Sequence, residues 1–305
     1  MIEYLIHDPV SQSVIAPILI AVISTLLIRI VFGAGLGARI AIVAIVPAFV
    51  VGYLLILGIS PFPPISSTQK LFYIMLIAAG IGLAFELFRP GLILKIAVIG
   101  LLPLAALIWL AGRLLVPLDP RILPDLVTLY LGTIGVKWCL AQADPRESLP
   151  AAVPALAASI LMMVDAAALG VVAFFGGAPI IAQLAFVLAS ASGGYILIAW
   201  IFYVFNGENF RFGMVGRTCI VDATAAIAYI YVLYAEQPNR TAILILCLIF
   251  AMHFIASPIA GMLHPASQRL GRALRPIFYG AVVTVAMVIE VVYVLLVAPI
   301  LFQYQ

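Results

Sequence analysis

Charge is what this sequence has least of. Asp, Glu, Lys and Arg make up 9% of its 305 residues, while 66% are hydrophobic. Ordinary globular chains carry roughly 25% charged residues. So few polar side chains cannot cover a water-facing surface, which excludes a soluble fold and makes lipid most of the solvent. A mean hydropathy of +1.28 says the same. It overrides the expectation of about two soluble domains that length alone would give.

Cysteine and histidine are scarce too. Cys139, Cys219 and Cys247 each fall in an apolar stretch without a close-spaced partner, which points away from a disulfide framework or a thiolate metal site. Of the three histidines, no pair has zinc-ligand spacing with a carboxylate. His253 and His264, eleven residues apart, share a helix face but lie ~16 Å apart along it, too far to hold one metal. There is no Gly-x-Ser-x-Gly elbow and no phosphate loop with its Lys-Ser/Thr ending. No cofactor is indicated, and the enzyme reading leans to no. The net charge of +3 is small and scattered among loops, which removes nucleic acid as a partner. Met1–Val10 lacks the basic leading region of a cleaved signal peptide, so the first span is expected to be retained.

What the chain does have is long apolar runs. A spanning helix needs ~20 mostly apolar residues. That criterion gives about ten candidates: Ser13–Phe32, Arg39–Ser60, Leu71–Phe88, Gly91–Arg113, Leu126–Gln142, Leu149–Phe175, Pro179–Phe205, Thr218–Ala235, Thr241–His264 and Pro276–Phe302. The expected fold is therefore an all-α polytopic bundle, one integral membrane domain over 1–305, divisible into halves 1–144 and 149–305. Basic residues resist translocation. Alternating the loops puts Arg29, Arg39, Arg89, Arg146, Arg211, Arg217, Arg269, Arg272 and Arg275 on one side and only Lys70, Arg113, Arg121 and Arg240 on the other. The first set is expected in the cytoplasm, with both termini on the opposite side. Aromatics at the span ends, among them Trp109, Trp138 and Trp200, suit headgroup depth.

Several segments break or tighten the helices. Ser60-Pro61-Phe62-Pro63-Pro64 cannot continue a helix and reads as a rigid outer turn. The short link Phe175-Gly176-Gly177-Ala178-Pro179 predicts an antiparallel hairpin. In the run Ala189-Ser190-Ala191-Ser192-Gly193-Gly194 small side chains replace bulky ones. Such a patch serves close helix packing or, alternatively, an unwound cavity lining at Ser190, Ser192, Gly193 and Gly194. The Phe-Pro-Pro turn and the run Ala182-Gln183-Leu184-Ala185-Phe186 leading into Ser190–Gly194 resemble segments of uncharacterised multi-spanning bacterial inner-membrane proteins. The resemblance implies a bacterial cytoplasmic membrane and no activity.

Ionisable residues inside spans are the informative ones, because a charge in the bilayer centre costs several kcal/mol unless paired, hydrated or neutralised. Lys95 and Lys137 lie about a turn from span ends and can snorkel. Glu86 can pair with Arg89, and Asp222 sits near a helix N-terminus. The alternative is a cytoplasmic vestibule lined by Glu86, Lys95, Lys137 and Asp222. Asp165, His253 and Glu290 are deeper, at roughly 24, 17 and 21 Å from the cytoplasmic ends of their spans. No permanent cation accompanies them. If they converge, a carboxyl stays protonated or a proton or cation is shared, which is the content of a relay. Tyr293, three residues after Glu290, and Ser257, four after His253, share their helix faces. Otherwise each group only fastens neighbouring helices. Arg211 and Arg217, and the triplet Arg269, Arg272 and Arg275, suit an anionic headgroup or solute as well as they suit orientation.

Three functional readings follow. The first is a transporter or permease for a small solute or ion, coupled to protons or cations through Asp165, His253 and Glu290. The second is a non-catalytic subunit or assembly factor that docks other membrane proteins or a second copy. The third is an intramembrane enzyme acting on a lipid.

Overall fold

The computed structural model describes residues 8–112, 114–115, 120, 122–143, 156–235, 238–262 and 267–303, with side chains as far as residue 296. Arg113, Arg121, Arg146, His264 and the Asp144–Ser148 loop lie outside the described residues. The described chain is all-helical and has no strands. Its principal helices are α1 (Ala16–Phe32), α2 (Ile45–Leu57), α3 (Ser67–Phe88), α4 (Leu92–Ala111), α5 (Leu123–Ala143) and α6 (Ala157–Phe175), followed by α7 (Pro179–Asn206), α8 (Val221–Tyr234), α9 (Arg240–Ala251), α10 (His253–Met262) and α11 (Gln268–Gln303).

Eight helical stretches are long and apolar enough to cross a membrane. They differ from the ten expected segments in two places. Ser11–Leu57 counts as one continuous stretch, although it holds two expected spans. It is not a straight rod: Gly33 has φ +72°, π-type and 3₁₀ turns fill Gly33–Gly37 and Ala41–Ala44, and α2 packs back on α1. The return is close enough that a Cβ at Gly37 would lie 3.1 Å from the Arg29 Cα. The second difference is α5, a helix as expected but absent from the eight, since Asp125, Lys137 and Gln142 dilute its apolar residues.

Sequence chemistry accounts for the boundaries. Ser66 caps α3 by accepting from the Gln69 N–H, while the Gln69 side chain accepts from the Ser66 N–H, a reciprocal capping box. After α6, Gly177 turns with φ +74° and Pro179 opens α7 at a position where its missing N–H costs nothing. Among the described residues the α6–α7 hairpin is the most extensively packed pair of helices.

The core is the set α6, α7 and α8. Most of the α6 and α7 residues, and most of the stretch Gly213–Tyr234 that ends in α8, are buried, while α4 and α11 lie at the periphery. Helix α1 packs along α7, α3 and α4 against α8, and α11 against α6, so helices of the first half interleave with those of the second. At the α1–α7 crossing a Cβ on Gly194 would approach the Ile18 carbonyl oxygen to 2.6 Å. Helix α7 runs unbroken through Ser190–Gly194, and Ser192 Oγ donates to its own helix at Leu188 O (2.8 Å). Small side chains here let two backbones meet.

Candidate functional site

Four helices line a cavity of about 360 Å³. Each contributes one face. Met162, Asp165 and Leu169 come from α6, and Val221, Thr224, Ala225, Ala228 and Tyr229 from α8. These are the 3- and 4-residue spacings that bring side chains to one side of a helix. Helix α5 adds residues from Thr128 to Val136, and α9 adds residues from Ile243 to Phe250. The walls are largely apolar. Their polar groups are the Asp165 carboxyl, the hydroxyls of Thr128, Thr133, Thr224 and Tyr229, and the Cys247 thiol.

Asp165 is only 7% exposed. Among the described residues no hydrogen bond or ion pair reaches its carboxyl. Glu290, on the neighbouring α11, is fully buried, and neither of its carboxyl oxygens has a hydrogen-bond partner among the described residues. Its helix α11 packs against α6, which carries Asp165. His253 lies elsewhere in the network. Its Nδ1 is 2.8 Å from Tyr279 Oη on α11, a bond that joins α10 to α11, and no ion pair links it to either acid. Tyr293 on α11 and Ser257 on α10 are half-buried.

Beside the cavity is a buried ion pair. Lys137 Nζ on α5 lies 2.6 Å from Asp222 Oδ1 on α8, and the two residues are 2% and 1% exposed. The ammonium also donates to Ile99 O at 3.3 Å. One turn away on α5, Thr133 Oγ1 is 2.6 Å from Tyr229 Oη and 2.8 Å from Leu129 O. Lys137 therefore does not snorkel: its partner is on the neighbouring α8, and each member of the pair directly follows a cavity-lining residue, Val136 and Val221.

The remaining charges also pair across helices. Glu86 meets Arg39 (3.3 Å) instead of Arg89, and accepts from the Met214 N–H (2.6 Å). Folding the chain back after α1 brings Arg39 beside the end of α3, a closer approach than Arg89, whose backbone turns left-handed (φ 47°) as it leaves the helix. Lys95 is half-buried near the start of α4. Glu86 thus has partners other than the Lys137–Asp222 pair. Arg29 Nε and Nη2 donate to both oxygens of Glu208 at 2.7 and 2.6 Å, with the guanidinium over the Phe202 ring. That bidentate contact holds the Glu208 carboxyl below the ordinary glutamate range. In the same region Arg272 packs against Gly207, Arg211 donates its backbone N–H to Ala38 O, and Arg269 is exposed. Arg217 lies in the π-type turn Gly216–Ile220, and Arg275 is half-buried on α11.

At the other end of the molecule Arg240 Nη2 meets Asp125 Oδ2 at 2.8 Å. This bridges the first turns of α5 and α9, so the two helices run the same way. A recess of about 150 Å³ leads from this pair and shares Thr128, Leu129, Ile243 and Leu244 with the main cavity.

Sequence reasoning isolated Asp165 and Glu290 but missed Thr133, Tyr229, Thr224, Cys247 and the Asp125–Arg240 bridge. A partial signal was there. Thr133 and Lys137 are four residues apart, and Asp222 and Tyr229 seven, each pair on one helix face. No protein-family model matches the chain, and no curated protein matches it either.

Proposed function

We propose that this chain is a membrane transporter or permease for a small solute or ion, in which a proton or cation held at Asp165 and Glu290 biases one access state against another. The observation that carries this reading is the 360 Å³ cavity with Asp165 in its wall, on a helix packed against α11 and its buried Glu290. An acid kept in an apolar setting without partner or counter-charge is expensive, so a bundle that only needed fastening would have a cheaper residue there. His253 serves as a fastener to Tyr279. The Lys137–Asp222 pair is a second charged element beside the same cavity, ready to be broken or remade when α5 moves against α8.

The architecture that goes with this reading has ten spans: α1 and α2 each cross the membrane, and so does α5. Both termini lie outside a bacterial cytoplasmic membrane, and the arginine-rich loops lie inside. The test is uptake into proteoliposomes driven by a proton or sodium gradient. Asp165→Asn and Glu290→Gln should each reduce the gradient-driven rate at least tenfold while leaving detergent-solubilised protein monodisperse. Undiminished uptake in both variants would remove these carboxyls from the mechanism.

A further inference from the structure

The cavity opens sideways. At its mouth, between α5 and α9, Leu131 and Leu244 are 59% and 55% exposed, and Thr128 and Cys247 are exposed beside them. In the ten-span arrangement proposed above α5 and α9 both cross the membrane, which would turn this opening toward the acyl-chain region. From Asp125 at the rim to Val136 at the far end, the α5 wall runs ~16 Å at 1.5 Å per residue. The cleft is therefore long, apolar and reached through lipid.

Its charge is one-sided. Two cations lie close by, and both are already matched, Lys137 by Asp222 at 2.6 Å and Arg240 by Asp125 at 2.8 Å. Among the described residues, Asp165 in the wall and Glu290 on the adjoining α11 have no such partner. A site with an unpaired acid in apolar walls accommodates a positive charge carried on an apolar body. A bare inorganic cation fits less well. Divalent ions of the calcium class take six to eight oxygen ligands, and no group of three or more His, Cys, Asp or Glu among the described residues is arranged to hold a metal. Tyr229 and Phe250 also line the walls, and aromatic rings attract organic cations.

Building on the transport reading, we propose that the substrate class of this cleft is a lipophilic organic cation, entering from the membrane between α5 and α9 with its charge against Asp165. The occupant need form no covalent bond. The Asp125–Arg240 bridge closes the rim and, with the Thr128 hydroxyl, marks the polar end of the entry path.

The test is equilibrium binding of tetraphenylphosphonium to the full chain in detergent micelles, with tetraphenylborate as a probe of the same shape and opposite charge. Saturable binding of the cation and at least tenfold weaker binding of the anion are expected. Asp165→Asn should weaken cation binding tenfold or more. Leu244→Trp, which fills the mouth from a lipid-facing position and leaves every acid in place, should weaken it as well, so the proposal stays testable if the Asp165 variant fails to fold. Equal binding of both probes, undiminished binding in Asp165→Asn or in Leu244→Trp, or no saturable binding by the wild type would overturn it. If gradient-driven uptake is lost in Asp165→Asn but the cation never binds, coupling through the acid stands and this substrate class falls. If the cation binds and no gradient moves it, the substrate site stands and the transport reading falls.

Discussion

Lys137 shows how little a side chain's sequence position says about its environment in a membrane. It lies within about two turns of the end of α5, where a long stem would reach water, yet it turns inward to Asp222 and is 2% exposed. Breaking a buried pair leaves an uncompensated charge and costs about 3–5 kcal/mol, whereas replacing both partners by apolar residues is often neutral. Lys137→Met is therefore expected to lower thermal stability in detergent markedly. The double substitution Lys137→Met with Asp222→Leu should recover most of the loss. Equal losses in the single and the double variant would show that the pair is not coupled.

Glu208 carries a pH signature of its own. Its carboxyl is held below the ordinary value of 4.5 by hydrogen bonds from Arg29. A depressed acid contributes stability that is fully present above its unfolded value and is lost as pH falls through the lowered folded value. Thermal stability measured from pH 7 downward should thus fall below about pH 4.5 more steeply in the wild type than in Glu208→Gln. Parallel curves would mean that the Arg29 contact adds nothing in solution.

Helix α7 is where an element's sequence and its packing agree most closely. Its small residues Ala189–Gly194 allow α1 to approach until a Cβ at Gly194 would sit 2.6 Å from Ile18 O. At Gly193 the nearest atom to such a Cβ is the Met163 Sδ, at 3.5 Å, an ordinary contact. Overpacking costs about 1–3 kcal/mol. Gly194→Val should lower the melting temperature by several degrees while Gly193→Ala leaves it nearly unchanged, read from thermal unfolding in detergent. The same chemistry explains why the α6–α7 hairpin was legible: a link of two glycines and a proline leaves the chain no room to do anything but return. The break after α1 was legible as well, because Gly33, Gly35 and Gly37 crowd the segment between two apolar runs; how tightly α2 returns on α1, with Arg39 brought to Glu86, was not.

For the molecule as a whole, the orientation proposed from arginine placement has a direct check. In a chain whose three cysteines are replaced by alanine, cysteine at the exposed positions Ile65 and Asn209 should react with a membrane-impermeant maleimide from opposite sides of intact cells. Ile65→Cys is expected to label from outside, and Asn209→Cys only after permeabilisation. Labelling of both from one side would overturn the ten-span arrangement, since the two loops are separated by an odd number of crossings in it.

Composition and hydropathy settle that this chain is an all-helical bundle rich in membrane-length helices, because a 66% hydrophobic chain must bury its backbone hydrogen bonds within each segment when no water is available to accept them. The same local rules single out Asp165 and Glu290, since a charge within an apolar run is conspicuous without any knowledge of its neighbours. Pairing is another matter. Whether Lys137 meets water or Asp222, whether Glu86 meets Arg89 or Arg39, and whether His253 joins the acids or Tyr279 depend on which helix faces come together. Those faces are apolar all round, so periodicity carries almost no information about their partners. Only packing of α5, α6, α8 and α9 turns separate spans into a cleft with an acid in its wall.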